Sequence, residues 1–177
     1  MSVVLPVYNA ADGIASALER LSALEYRAID VLVVDDGSTD DTVALVEAHC
    51  GRDPRFRLLR QPVNGGVAAA RNRAIGELRG RYTWFVDWDD EWSPRILNVL
   101  TAVAEDTQAD LAICTAVHVR SVDEPGRSLD RTDALTVMSG ADCQDRMLRG
   151  EVHGYLWSKL IRTSRVLVME PGRIRCQ

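Results

Sequence analysis

Short apolar runs alternating with helical patterns constrain this chain more than any other feature. "SVVLPV" (2–7), "DVLVV" (30–34), "FRLLR" (56–60) and "RYTWFV" (81–86) have the length of strands, and the first two are continuous enough to be buried on both faces. Between them lie helix-forming stretches. Ile14, Ala17, Leu18, Leu21 and Leu24 share one helical face, with Asp12 as the expected N-cap. Ser38 and Asp41 have capping-box spacing for a helix through "TVALVEAHC", ended at Gly51. An alanine-rich stretch from Val67 to Leu78 predicts the next helix, with Gly80 beyond its end. Ser93 followed by Pro94 predicts another start, a cap and a proline at the first helical position, turning Ile96, Leu97, Leu100, Val103 and Ala104 inward. Strand–helix alternation of this kind predicts an α/β sheet covered by helices.

The later part of the chain is less regular. "DLAICTAVHV" (110–119) predicts a fifth strand, 121–138 a polar loop, and Ser139 the cap of a helix to Leu148; beyond Gly150 the pattern weakens. A length of 177 residues suits one well-buried core, hence a single domain. The net charge of −5 argues against nucleic acid as a partner, since that binding rests on clustered cations. Locally, "RNRAIGELRGR" (71–81) does gather basic residues, of which Arg73, Arg79 and Arg81 read as solvated surface. Cys50, Cys114, Cys143 and Cys176 are far apart with no C-x-x-C pair, which reads as free thiols in a reducing compartment. No run approaches the ~20 apolar residues of a membrane span, and "MSVVLPVYNA" lacks the basic and apolar regions of a secretory signal. A cytoplasmic location, peripheral to a membrane at most, is expected.

Three unusual segments fall at the ends of predicted strands: "PVYN", "DDGS" and "DWDD". Ligands of open α/β sheets bind outside the carboxyl ends of the strands, so parallel strands would bring these tails to one edge. Each has a plain alternative. Asp35 and Asp36 before Gly37 suit a turn into a helix cap as well as they suit a nucleoside's donors. Tyr8 suits packing as well as stacking on a base. "NGGVAAARN" (64–72) has the glycines and helix start that favour anions, without a dinucleotide or P-loop pattern. Arg71, one turn into that helix, would reach a diphosphate or pair at the surface. In "WFVDWDDEW" (84–92), Asp87, Asp89 and Asp90 are hard oxygen ligands suited to Mg²⁺ or Mn²⁺. On an extended backbone Asp87 and Asp89 would point the same way; a solvated acidic turn is the alternative. His49, His118 and His153 lack a triad or metal pattern and read as structural, with His153 also a candidate for lining an acceptor site.

"VVLPVYNA", "VLVVDDGSTDDT", "NGGVAAARNRAI" and "YTWFVDWDDEW", in this order and at these intervals, resemble glycosyltransferase family 2 enzymes, and "YLWSKLIR" (155–162) resembles a further family element. The resemblance implies the GT-A fold, a Rossmann-like three-layer α/β/α sandwich with a mostly parallel central sheet. It implies residues 1–92 as the half that binds a nucleoside-diphosphate sugar, most often UDP-linked, and 93–177 as part of the acceptor half. Pro6, Tyr8, Asp35 and Asp36 would border the nucleobase, and Arg71 the nucleoside or diphosphate. Asp87, with Trp88, would face the ribose and sugar. Asp89 would hold Mn²⁺ or Mg²⁺, with Asp87 and Asp90 in support.

The implied reaction is inverting transfer to an acceptor hydroxyl on a glycan, lipid or small molecule. It needs a general base. In the family that base is an Asp, often in an acidic pair, shortly after a W-x-K-L element. Here Trp157, Lys159 and Leu160 are followed by "VLVMEPGRIRCQ", where Glu170 is the nearest acid and no pair appears by Gln177. The chain therefore reads as a form cut just before the base. A nucleotide-sugar-binding module without catalytic competence is the alternative reading.

Overall fold

The computed structural model describes residues 1–115, 117–118, 127–128 and 135–167. The four apolar runs form β1 (Ser2–Val7), β2 (Asp30–Asp35), β3 (Phe56–Arg60) and β4 (Tyr82–Phe85). The helices between and after them are α1 (Ile14–Ser22), α2 (Thr42–Cys50), α3 (Val67–Ile75) and α4 (Ile96–Asp106). Then come β5 (Leu111–Ile113), β6 (Val117–His118), β7 (Arg127–Ser128), α5 (Gly140–Leu148), β8 (Lys159–Arg162) and α6 (Thr163–Leu167).

The main sheet has the order β3-β2-β1-β4-β8-β5. β1 pairs in parallel with β2 and β4, and β2 in parallel with β3. β8 runs antiparallel to both its neighbours. Side chains alternate between two cores, as period-two geometry requires. Val3, Leu5, Val31, Val33, Trp84 and Val86 pack with α1, α2 and α4; Val4, Leu32, Val34 and Phe85 pack with Ala70 and Ala74 of α3 and Val166 of α6. The mostly parallel, three-layer expectation is met. Pro6 is tolerated in a central strand because its missing N–H faces the side on which β4 has already ended: the last β1–β4 pair is Val4↔Phe85, and Val86 N–H donates to the Val4 carbonyl beyond it (3.0 Å).

Five details of the sequence reading are corrected. The strand expected over 110–119 stops at Ile113, because its neighbour among the described residues, β8, begins at Lys159; Cys114 N–H donates to Ser158 O (3.0 Å) at that limit. Val117–His118 pairs instead with Arg127–Ser128 in a separate ribbon. Gly13, not Asp12, is the N-cap residue of α1. The capping box of α2 does not form, since the Ser38 hydroxyl accepts from Asn9 N–H (3.0 Å) and Asp40 accepts from Thr42 N–H (3.0 Å). α4 starts at Ile96, two residues past Pro94, and α3 ends at Ile75 rather than Leu78. The Ser139 cap on α5 holds, accepting from Asp142 N–H at 3.1 Å. Among the described residues no helix is long and apolar enough to cross a membrane. Most of 121–138, together with Glu170 and the segment to Gln177, lies outside the described residues.

Candidate active site

Because β1, β2, β3 and β4 are parallel, their last residues and following loops share one edge of the sheet. β8 is antiparallel, so the loop preceding it, residues 153–158, lies at that edge too. The loops are bonded to one another in turn. After β1, Asn9 adopts a positive φ of 45°, and its side-chain oxygen accepts from Thr39 N–H (2.8 Å) in the loop after β2. Ala10 N–H donates to the Thr42 hydroxyl (2.8 Å), and Ala11 N–H to Asp40 (3.1 Å). Tyr8, next in chain to this tie, is half exposed at the mouth of the edge.

The two aspartates after β2 differ in what they hold. Asp35 is buried and accepts from Ser38 N–H (3.2 Å), a local turn bond of the kind its alternative reading describes. It also lines a groove of about 550 Å³ with Gly37, Ser38, Thr39, Arg60, Gln61 and Pro62. Asp36, equally buried, accepts from Gly65 N–H (2.9 Å), Gly66 N–H (2.7 Å) and the Gln61 amide, so it organises the glycine loop that starts α3. Gly37 permits this closeness. It has φ of +77°, and a Cβ there would sit 2.9 Å from backbone atoms of Val63 and Asn64.

On α3, Arg71 donates to Asp87 across 2.7 Å, joining the glycine-loop helix to the acidic turn after β4. Its Nε is buried without a partner among the described residues. The chain past Phe85 is not extended: Asp90 N–H donates to Asp87 O (3.2 Å), closing a turn over 87–90. The expected same-side presentation of Asp87 and Asp89 by strand alternation is therefore replaced by a turn, with Asp89 exposed and Asp87 and Asp90 partly buried. Burial first, then the neighbouring Asp87 and Asp89 charges, push the Asp90 carboxyl up to about 6. One Asp90 oxygen is buried and has no partner among the described residues. Among the described residues no three His, Cys, Asp or Glu side chains form a ready-made metal cage. The turn therefore suits a hard cation that takes one or two carboxylates and completes its shell with a ligand's phosphate oxygens, the usual habit of Mg²⁺. An orphaned carboxylate oxygen beside two more carboxylates fits such a group.

The Trp88 ring lies over Gly13 at the start of α1 and packs on the core. Trp84 of β4 stacks edge-on against Trp92 at 5.3 Å, and its indole N–H donates to Trp157 O (2.7 Å). Buried Lys159 donates to the carbonyls of His153 and Tyr155, which fixes the loop at the edge. His49 is structural: it bonds the Ser22 hydroxyl (3.0 Å) and meets Phe56 edge-on. The sequence reading missed Arg60 and Gln61, although they end a parallel strand and the strand-end rule reaches them. It also missed Arg20, which carries no local signal.

The profile of Glycosyl transferase family 2 matches residues 2–163. The chain is 35% identical over 145 residues to YibD of Escherichia coli, an uncharacterized glycosyltransferase, covering 80% of this chain and 42% of that protein. It superposes on S. aureus TarS 1-349 in complex with UDP-GlcNAc with a TM-score of 0.74 at 25% identity, over 92% of this chain and 45% of that one. It superposes on the Pyrobaculum calidifontis mannosyltransferase PcManGT, solved with GDP-Man and Mn²⁺, with a TM-score of 0.60 at 26% identity, over 64% and 34% of the two chains. This chain thus spans less than half the length of each of these proteins.

Proposed function

Because this chain belongs to glycosyl transferase family 2, we propose that it is the donor-binding part of a metal-dependent enzyme that moves a sugar from a nucleoside diphosphate, UDP foremost, to an acceptor hydroxyl with inversion. Residues 1–92 form the donor half, and the later residues contribute part of the acceptor half. One observation carries this reading: four polar strand-end segments are bonded to one another along one sheet edge, from Asn9–Thr39 through Asp36–Gly66 to Arg71–Asp87. The UDP-GlcNAc bound to TarS and the GDP-Man and Mn²⁺ bound to PcManGT support it. The free thiols of Cys50 and Cys143 suit a cytoplasmic setting.

In this proposal Tyr8, Pro6 and the Asp35 groove take the nucleoside. Asp36 shapes the glycine loop beside it. Arg71 turns its unpartnered Nε to the diphosphate while Asp87 holds its other end. Asp89 would hold Mn²⁺ or Mg²⁺, with Asp87 and Asp90 in support, and the bound cation would supply positive charge for the departing diphosphate. The acceptor oxygen bonds to the anomeric carbon as the carbon–oxygen bond to the diphosphate breaks on the opposite face. Its proton passes to a base that none of the described residues is assigned to provide.

The test is thermal stability with UDP, GDP and dTDP, each with Mn²⁺ and with EDTA. A ligand at about 100 times its dissociation constant stabilises by about 2.7 kcal/mol, a shift of several degrees in a domain of this size. A shift given by UDP only with Mn²⁺ is expected. No shift from any nucleotide in folded protein would overturn the reading.

A further inference from the structure

The acidic turn follows β4, closes on itself through a bond from Asp90 N–H to Asp87 O (3.2 Å), and is tied to α3 by Arg71 on Asp87 (2.7 Å). What holds its outer side comes from a helix far away in sequence. The Arg20 guanidinium, in the last turn of α1, donates through Nη2 to Trp88 O (3.0 Å) and Asp90 O (3.1 Å). Nη1 is steadied by the Ser16 hydroxyl one turn earlier (2.8 Å), and the guanidinium sits 5.3 Å from the centre of the Trp92 ring. No carboxylate of the described residues lies within ion-pair distance of Arg20, so both contacts with the turn are to backbone.

A second fixed point lies at the other end of the same helix. The Trp88 ring fills the space above Gly13, where a Cβ would come within 2.3 Å of the indole. Seven residues separate Gly13 from Arg20, about 10 Å along a helix axis. α1 is itself immobilised by buried Ile14, Ala17, Leu18 and Leu21. A turn gripped at two such points cannot rotate without breaking charge-assisted bonds at one end and packing at the other.

Resting on the donor-site reading above, we infer that Arg20 is a positioning residue for the metal-binding turn, with Gly13 and Trp88 as its second anchor. Arg20 touches neither sugar nor cation. It sets the backbone at 88 and 90, and so where the carboxylates of Asp87, Asp89 and Asp90 stand. The same helix follows the loop bearing Tyr8 and Asn9, so one rigid element sets both the nucleoside end and the cation end of the site.

The test compares wild type, Arg20→Met, which keeps the stem and removes the donors, and Arg20→Lys, which restores charge, all in the full chain. Amide hydrogen exchange without metal comes first. Arg20→Met should raise exchange at least tenfold in peptides covering 86–92 and leave β1 and β2 unchanged, with Arg20→Lys in between. Unchanged exchange in 86–92 would overturn the inference. The Mn²⁺ concentration giving half of the UDP-dependent thermal shift comes next. It should rise about tenfold in Arg20→Met, while the UDP-dependent shift at saturating Mn²⁺ stays at its wild-type value. An unchanged Mn²⁺ midpoint, or a shift lost even at saturating Mn²⁺, would overturn the positioning role. Faster exchange over 86–92 in Arg20→Met, with no shift of the wild type by any nucleotide, would support the clamp and sink the donor site instead.

Discussion

Helices α1 and α5 are both nine residues long, and they are held by opposite means. α1 has no side-chain cap, yet it buries Ile14, Ala17, Leu18 and Leu21 and grips the acidic turn through Arg20. α5 buries none of its residues and depends on its Ser139 cap and on exposed pairs such as Arg149–Asp145 at 2.9 Å. An isolated helix of this length is marginal in water, and a cap contributes about 1 kcal/mol. The difference teaches that the part of the molecule built on β1 to β4 is fixed by burial and cross-bonded loops, whereas α5 is fixed by local chemistry. The sharpest way to break that contrast is a leucine truncation in each helix. Leu18→Ala, at a fully buried site, should cost about 2–5 kcal/mol. Leu148→Ala, 82% exposed, should stay within about 0.5 kcal/mol. Urea unfolding of both variants checks this, and similar midpoints would refute it.

Glycines probe the same contrast with smaller effects. A Cβ on Gly80 would lie 2.2 Å from Ser2 N and 2.4 Å from Met1 C, both backbone atoms at the start of β1. Gly80 N–H also donates to the Ser2 hydroxyl (2.8 Å), so the loop cannot back away without losing that bond. Gly80→Ala should therefore destabilise by about 1–3 kcal/mol. Gly140 opens α5 with nothing within 4 Å of the added carbon. Gly140→Ala should stabilise by about 0.4–1 kcal/mol by restricting the unfolded chain. Opposite signs in thermal unfolding are the expected result; a loss at both positions would mean that α5 is packed after all.

The contrast also explains what could be read from the sequence. β1 to β4 were legible because strands buried on both faces must be continuous apolar runs, and the site edge followed because parallel strands end together. The caps were not legible. Asp12 and Ser38 have the right chemistry for capping, but the Trp88 ring above Gly13 and the Asn9 amide at Ser38 are long-range partners that no local pattern reveals. β8 was missed for a similar reason. Its four residues hold Lys159, buried by donating to the His153 and Tyr155 carbonyls, and Arg162, bonded to Asp110 at 2.9 Å. Those charges break the apolar signature, and their partners lie in other segments or a folded-back loop. The contact of the Trp88 ring with Gly13 at the start of α1 joins segments far apart in sequence, which no local pattern reveals.

Acid titration gives the smallest effect. Asp53 accepts from the Arg55 guanidinium (2.9 and 3.1 Å from Nε) and from the Ser22 hydroxyl (3.3 Å), and Arg55 also donates to Ser22 O (3.2 Å). This joins the end of α1 to the start of β3. The Arg55 bonds, foremost among the causes, hold the Asp53 carboxyl down at about 2 from its ordinary 3.8. A carboxyl depressed on folding adds stability that is fully present above its unfolded value and drains away as pH falls through the folded value. Asp53→Asn should thus be less stable than wild type at pH 7, by no more than about 1 kcal/mol for a pair this near the surface. The gap should close between pH 3.8 and pH 2. Asp145→Asn on α5, where both partners are more than half exposed, should change stability at pH 7 by no more than about 0.5 kcal/mol. Stability measured by urea unfolding at a series of pH values decides the matter. A gap at Asp53 that persists unchanged to pH 2 would show that the site is held by shape rather than charge. The junction between α1 and β3 would then belong with the packed leucines, and the difference between the two helices would rest on burial alone.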